Sequence, residues 1–97
     1  MIDLEAVFEK FDDEYILFER IENPAHSRPD VCAFIMLDRL VPSEKSRDMV
    51  CSAEHDEIWL DVDIEELARV ATEDDVLSLV RCGVRFDTDI QSLAMFV

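Results

Sequence analysis

The chain has 97 residues, 49% of them apolar, and a formal net charge of −15. This length suits one domain and is too short for two independent cores, and the apolar content argues against disorder. The longest apolar run, residues 31–37, is far shorter than the roughly 20 residues that cross a bilayer, and the N-terminus lacks the features of a secretory signal. We expect one soluble acidic domain, residues 1–97, in the cytoplasm.

The first third of the chain predicts helices. Apolar residues recur at spacings of four and three over residues 4–18, the pattern of an amphipathic helix. Asp3 can cap this helix, which we expect to run to about Arg20, with room for a break at residues 12–14. A second helix, apolar around most of its surface, is expected over residues 30–40 and at the centre of the core.

The remainder of the chain alternates between strands and helices. Asp63 and Thr72 each precede a short helix and have an acidic residue three positions on, as in a capping box. Gly83, the only glycine, is expected to end the second of these helices. The predicted strands are residues 49–53 and 57–63, which form one hairpin, and residues 84–87 and 92–97, which form another. We expect an α+β fold of order α-α-β-β-α-α-β-β, with helices packed on one face of an antiparallel sheet of about four strands.

The net charge comes from two blocks of the chain. Residues 1–22 carry eight acidic residues against two basic ones, and residues 54–75 carry ten against one, while the rest is neutral. Such a surface repels nucleic acid and anionic lipid and attracts basic proteins or cations.

Enzyme signatures are largely absent. One glycine cannot build a GxGxxG turn or a P-loop, and no GxSxG elbow is present. The alternative with some support is a metal site, or a metal-dependent enzyme, at residues 54–57. Adjacent residues in a turn diverge, however, and a polar hairpin turn explains the same residues. We therefore expect no catalytic residue, cofactor or metal; the alternative metal ligands are His55, Asp56, Glu57 and Asp61.

The second strand carries one candidate binding surface. Alternation places Glu57, Trp59, Asp61 and Asp63 on its outward face, with neighbours about 6.8 Å apart, near the spacing of successive phosphates. Trp59 among these carboxylates is typical of a binding hot spot, although a helix covering this face would make it a core residue instead.

The first helix carries a second candidate surface. Glu5, Glu9, Asp12 and Glu19 form an acidic stripe, with Glu5 and Glu9 about 6 Å apart across one turn. The two rows could imitate a nucleic-acid backbone, or they could simply be solvated faces. We expect a non-enzymatic module whose acidic surface binds a basic protein, such as a nucleic-acid-binding protein or a nuclease, for example as an inhibitor or a nucleic-acid mimic.

Two further features concern the cysteines and the last strand. Cys32, Cys51 and Cys82 lie among apolar neighbours and are expected to be buried free thiols; only Cys82 follows a basic residue, which could make it reactive. The apolar strand of residues 92–97 must be flanked by another strand or form a homodimer, which would make the protein a self-assembling component.

Three segments, residues 53–61, 79–85 and 92–97, are similar to small acidic uncharacterised proteins of phages and bacteria. The resemblance covers about the C-terminal half and transfers no site residue. It implies a phage or bacterial setting, in which small acidic proteins often inhibit nucleic-acid enzymes or act as decoys for them.

Overall fold

The computed structural model has the predicted α+β architecture, and the predicted order of elements is confirmed. Its four strands form one antiparallel sheet in the order β1-β2-β4-β3. The elements are α1 (Leu4–Lys10), α2 (Pro29–Leu40), β1 (Val50–Glu54), β2 (Glu57–Leu60), α3 (Ile64–Val70), α4 (Glu73–Arg81), β3 (Arg85–Asp87) and β4 (Ser92–Phe96), with 3-10 turns at Asp12–Glu14 and Phe18–Arg20.

Helix α1 is shorter than predicted. It begins after Asp3, whose side chain accepts from the Ala6 N–H at 3.2 Å, but it ends at Lys10 and not near Arg20. The break falls at Asp12–Glu14, because three adjacent carboxylates are unfavourable at the negative end of a helix. The acidic stripe is therefore not one helical face.

The predicted caps of the later helices are confirmed. Asp63 accepts from the Glu66 N–H at 3.1 Å. Thr72 and Asp75 form a reciprocal capping box with distances of 3.1 and 2.9 Å. Gly83, at φ 98°, follows the end of α4 in a left-handed conformation that favours glycine.

One apolar core joins the helices to the sheet. Helix α2 contributes Cys32, Ala33 and Leu37, which are fully buried, whereas its other apolar residues are only partly covered. The five largest fully buried side chains come one each from α2, β2, α3, α4 and β4: Leu37, Leu60, Leu67, Leu79 and Leu93. None of the helices is both long and apolar enough to span a membrane.

Strand β4 lies inside the sheet. It pairs with β2 along Leu93–Phe96 and with β3 along Ser92–Ala94. Of the two predicted alternatives, flanking strands or a homodimer, the structure therefore has flanking strands over most of β4. Dimerisation through residues 92–97 stays a prediction. The edges of the sheet are β1 and β3.

The expectation of three buried cysteines is wrong for Cys51. Cys32 and Cys82 are buried, whereas Cys51 is exposed at an irregularity in the β1–β2 pairing. Cys82 is also not activated by the preceding arginine. Burial raises its pKa to about 12, with a further contribution from Cys32, so almost none of it is the reactive thiolate at neutral pH.

Candidate protein-binding groove

The outward face of the sheet is closed by its own side chains. The register places Trp59, Ala94 and Arg85 in one row across β2, β4 and β3. Ala94 is small and fully buried, so the long side chains on either side can reach over the central strand. The guanidinium of Arg85 pairs with the Glu57 carboxylate and lies 4.4 Å from the centre of the Phe96 ring.

Trp59 is half-buried on this outward face, as the alternation predicted. Its indole Nε1 donates to Asp87 Oδ2 at 3.1 Å. This hydrogen bond holds the pKa of Asp87 below its ordinary value; partial burial opposes the shift, and the N–H groups of Asp89 and Ile90 and the charge of Arg85 support it.

The lowered pKa of Asp87 predicts a pH-dependent contribution to stability. A carboxyl whose folded pKa is depressed stabilises the fold above its unfolded pKa, about 3.9, and this contribution is lost as pH falls through the folded pKa. We expect Asp87→Asn to lower the free energy of unfolding at pH 6, and the difference from the parent chain to shrink toward pH 3. Urea unfolding across this pH range measures the difference. Asp89→Asn is the control, because Asp89 is exposed and contacts Asp87 only through its backbone N–H. A difference that stays constant with pH would contradict the assignment.

Strand β2 ends at Leu60 and not at Asp63 as predicted, so Asp61 and Asp63 follow the strand instead of extending its outward face. Both carboxylates nevertheless have partners within the chain. Asp61 pairs with Arg47 at 2.9 Å, and Asp63 caps α3. Every carboxylate of the row is therefore engaged in the fold. Partner binding through Glu57, Trp59, Asp61 and Asp63 stays a prediction, but the row is not a free set of charges.

The three acidic residues predicted on the first helix lie together at a groove. Glu5 and Glu9 project from α1 and Asp12 from the following 3-10 turn, and all three are exposed. None forms an ion pair with a basic residue. We call them the acidic rim. Glu19, the fourth residue of the predicted stripe, lies outside the groove.

The groove has a volume of about 390 Å³ and runs between α1 and the β3 edge of the sheet. Its base is formed by the core residues Phe8, Val80 and Val84. Its sides are three aromatic residues, which we call the aromatic wall: Tyr15, Phe86 and Phe96. Tyr15 and Phe86 are half-buried, and Phe96 is 55% exposed, the most open aromatic ring of the groove.

The surface around the groove is strongly negative because basic residues are few and most of them already form ion pairs elsewhere. Six of the nine lysine and arginine residues pair with carboxylates, and these pairs involve only five acidic residues, so 19 of the 24 acidic side chains have no lysine or arginine partner. Arg85, the only base that lines the groove, is one of the six. The acidic rim therefore has no internal counter-charge.

The four alternative metal ligands are not brought together. His55 is exposed in the hairpin turn, with its Nε2 3.8 Å from Glu54 Oε1, whereas Glu57 and Asp61 are paired with different arginines. No group of three or more His, Cys, Asp or Glu side chains in the structure could hold a metal ion.

The aromatic wall was not predicted from the sequence. Tyr15 fits the apolar pattern of the first helix, and Phe86 and Phe96 fit strands, so all three would be assigned to the core. The exposure of Phe96 is the one departure from that assignment, and it depends on the register of β4 against β2 and β3.

The chain is therefore an acidic α+β domain with a groove lined by aromatic residues. Comparisons of the chain with protein-family models, with curated proteins and with solved structures find no match. The similarity to phage and bacterial acidic proteins stays a prediction.

Proposed function

We propose that the protein is a non-enzymatic interaction module of the cytoplasm that binds a basic protein through the groove, with the acidic rim supplying the attraction. The observation that carries this proposal is the unneutralised rim, Glu5, Glu9 and Asp12, beside an open aromatic surface. Charge complementarity steers association, and aromatic side chains are enriched where interfaces gain their binding energy.

A nucleic-acid-binding protein or a nuclease is the class of partner that fits best. Such proteins carry basic surfaces that neutralise phosphates. A net charge of −15 on 97 residues attracts the same basic surfaces as the phosphates do. Binding there would make this protein an inhibitor or a decoy. The outward strand row of Glu57, Trp59, Asp61 and Asp63 is a secondary surface in this proposal, because its charges are partly neutralised.

The proposal predicts that removing the acidic rim weakens binding more than removing the same charge elsewhere. The probe is a synthetic peptide of four arginines alternating with glycines, titrated calorimetrically at low ionic strength. We expect Glu5→Gln/Glu9→Gln/Asp12→Asn to lower its affinity about tenfold, which corresponds to about 1.4 kcal/mol, and raising salt to about 0.3 M to weaken binding to the parent chain similarly.

The matched control is Glu22→Gln/Asp38→Asn/Glu44→Gln. These residues are of the same types, exposed and unpaired, and none lines the groove. We expect less than about a twofold change for the control. Equal losses in the two triple variants would assign binding to the overall charge and overturn the groove, and no binding of the peptide at low salt would overturn the proposal altogether.

A further inference from the structure

We infer that the groove accepts one arginine side chain from an exposed segment of the basic partner, with its guanidinium against the aromatic wall and within reach of the acidic rim. This inference rests on the proposed function and specifies what is bound. It distinguishes arginine from lysine, which attraction by charge alone does not.

The aromatic wall supplies the first argument. A guanidinium already lies against one of its rings, because Arg85 is 4.4 Å from the centre of the Phe96 ring, and Phe96 as a whole residue is still 55% exposed. Guanidinium is more weakly hydrated than ammonium, so it loses less hydration free energy on entering an aromatic groove, and it also stacks on aromatic faces. The wall therefore favours arginine among cationic side chains.

The acidic rim supplies the second argument. Glu5 and Glu9 are one turn apart on α1, and Asp12 follows on the next turn of chain. Carboxylates so placed can accept from the several N–H donors of one guanidinium, which a single ammonium group cannot match in geometry. Arg85 also lines the groove, but its charge is already paired with Glu57, so it does not neutralise the acidic rim.

The size of the groove supplies the third argument. A volume of about 390 Å³ is at the lower end of the range for small-ligand sites. It suits one long side chain and not a helix or a folded surface element. A second copy of this chain is a poor source, because two molecules of charge −15 repel each other. The occupant we commit to is an arginine of a different, basic protein.

The test compares two peptides in calorimetric titrations with the full chain. One is Gly-Arg-Leu-Arg-Gly and the other is the same peptide with lysine in place of arginine. We expect the arginine peptide to bind about fivefold more tightly, the range of an exposed or partly desolvated cation–π contact. Phe96→Leu should reduce this preference to less than about twofold, because the apolar volume is kept and the ring is lost.

The control for the loss of a ring is Phe34→Leu, the same change on α2 outside the groove. It should leave the preference for arginine unchanged. Phe96 is exposed, so its replacement is expected to leave the fold intact, which amide NMR spectra of both variants check. In the parent chain, the arginine peptide should shift the amide signals of Glu5, Glu9 and Phe96.

The outcomes separate this inference from the proposed function. Equal affinities for the two peptides, a preference that survives Phe96→Leu, or signal shifts confined to other surfaces would each overturn the arginine site. The proposed function would still hold if removal of the acidic rim weakened binding selectively. If the rim and control triple variants lost affinity equally, the proposed function would fail, and this inference would fail with it.

Discussion

Replacing Glu14 by glutamine is expected to lower the free energy of unfolding by about 2 kcal/mol. Glu14 Oε1 accepts from Nε and Nη2 of Arg81 at 3.0 and 2.8 Å, and Oε2 accepts from Arg20 at 2.6 Å. The side chains of Glu14 and Arg81 are only 17% and 21% exposed, so the variant leaves a largely covered guanidinium without its counter-charge. A fully exposed pair would contribute much less.

Urea unfolding measures this loss, and Glu19→Gln is the matched control. Glu19 lies in the same segment but is exposed and forms no ion pair. Its replacement should change the free energy of unfolding by less than about 0.5 kcal/mol. Equal effects of the two substitutions would contradict the role of the Glu14–Arg81 pair.

The same substitution should also affect the groove. Glu14 fastens the segment that carries Asp12 and Tyr15 to the end of α4. Loss of this attachment should therefore weaken binding of the basic peptide although Glu14 itself does not line the groove. The Glu14–Arg81 pair is a positioning element for the site.

Replacing Gly83 by alanine is expected to cost about 2 kcal/mol. Gly83 has φ 98°, where a residue with a Cβ is strained, and a Cβ built there would lie 3.3 Å from Cγ2 of Ile16. Backbone strain and crowding therefore act together. Ile16 also has a positive φ, 57°, and its N–H donates to the Val80 carbonyl at 3.1 Å, so the two strained segments are held against each other.

Three further variants separate these causes. Gly83→Asn should cost less than Gly83→Ala, because asparagine adopts the left-handed region more readily. Gly83→Ala should also cost less in a chain that already carries Ile16→Ala, since the crowding methyl group is then absent. The free energies of unfolding of five chains, the parent, the three single variants and the Ile16→Ala/Gly83→Ala double variant, test both statements, and an unchanged cost in the Ile16→Ala background would remove crowding as a cause.

Features set by neighbouring residues could be predicted from the sequence. The caps at Asp63 and Thr72 and the stop at Gly83 depend on residues within one helical turn. The order of elements followed from these signals and from the alternation of apolar residues. The end of α1 was predicted too late. The helical spacing of apolar residues continues past Lys10, but the α-helical backbone ends there.

The site depends on contacts that no local pattern encodes. The stripe of Glu5, Glu9 and Asp12 was visible in the sequence, but the groove beside it requires β3 and β4 to be brought against α1. The pairing of Glu57 with Arg85 likewise requires β4 to lie between their strands. Sequence alone therefore does not distinguish the two acidic rows, whereas the fold pairs or caps every carboxylate of the strand row and leaves the acidic rim without partners.

Strand β1 has a consequence for the behaviour of the protein in concentrated solution. Its outer side has no neighbouring strand, and all five of its residues are exposed. Such an edge invites fibril-like addition of further chains, but the irregularity beside Cys51 interrupts its ladder, and mutual repulsion keeps molecules apart at neutral pH. Near the isoelectric point of about 4.2 only the irregularity remains as protection, so acid aggregation should begin at β1.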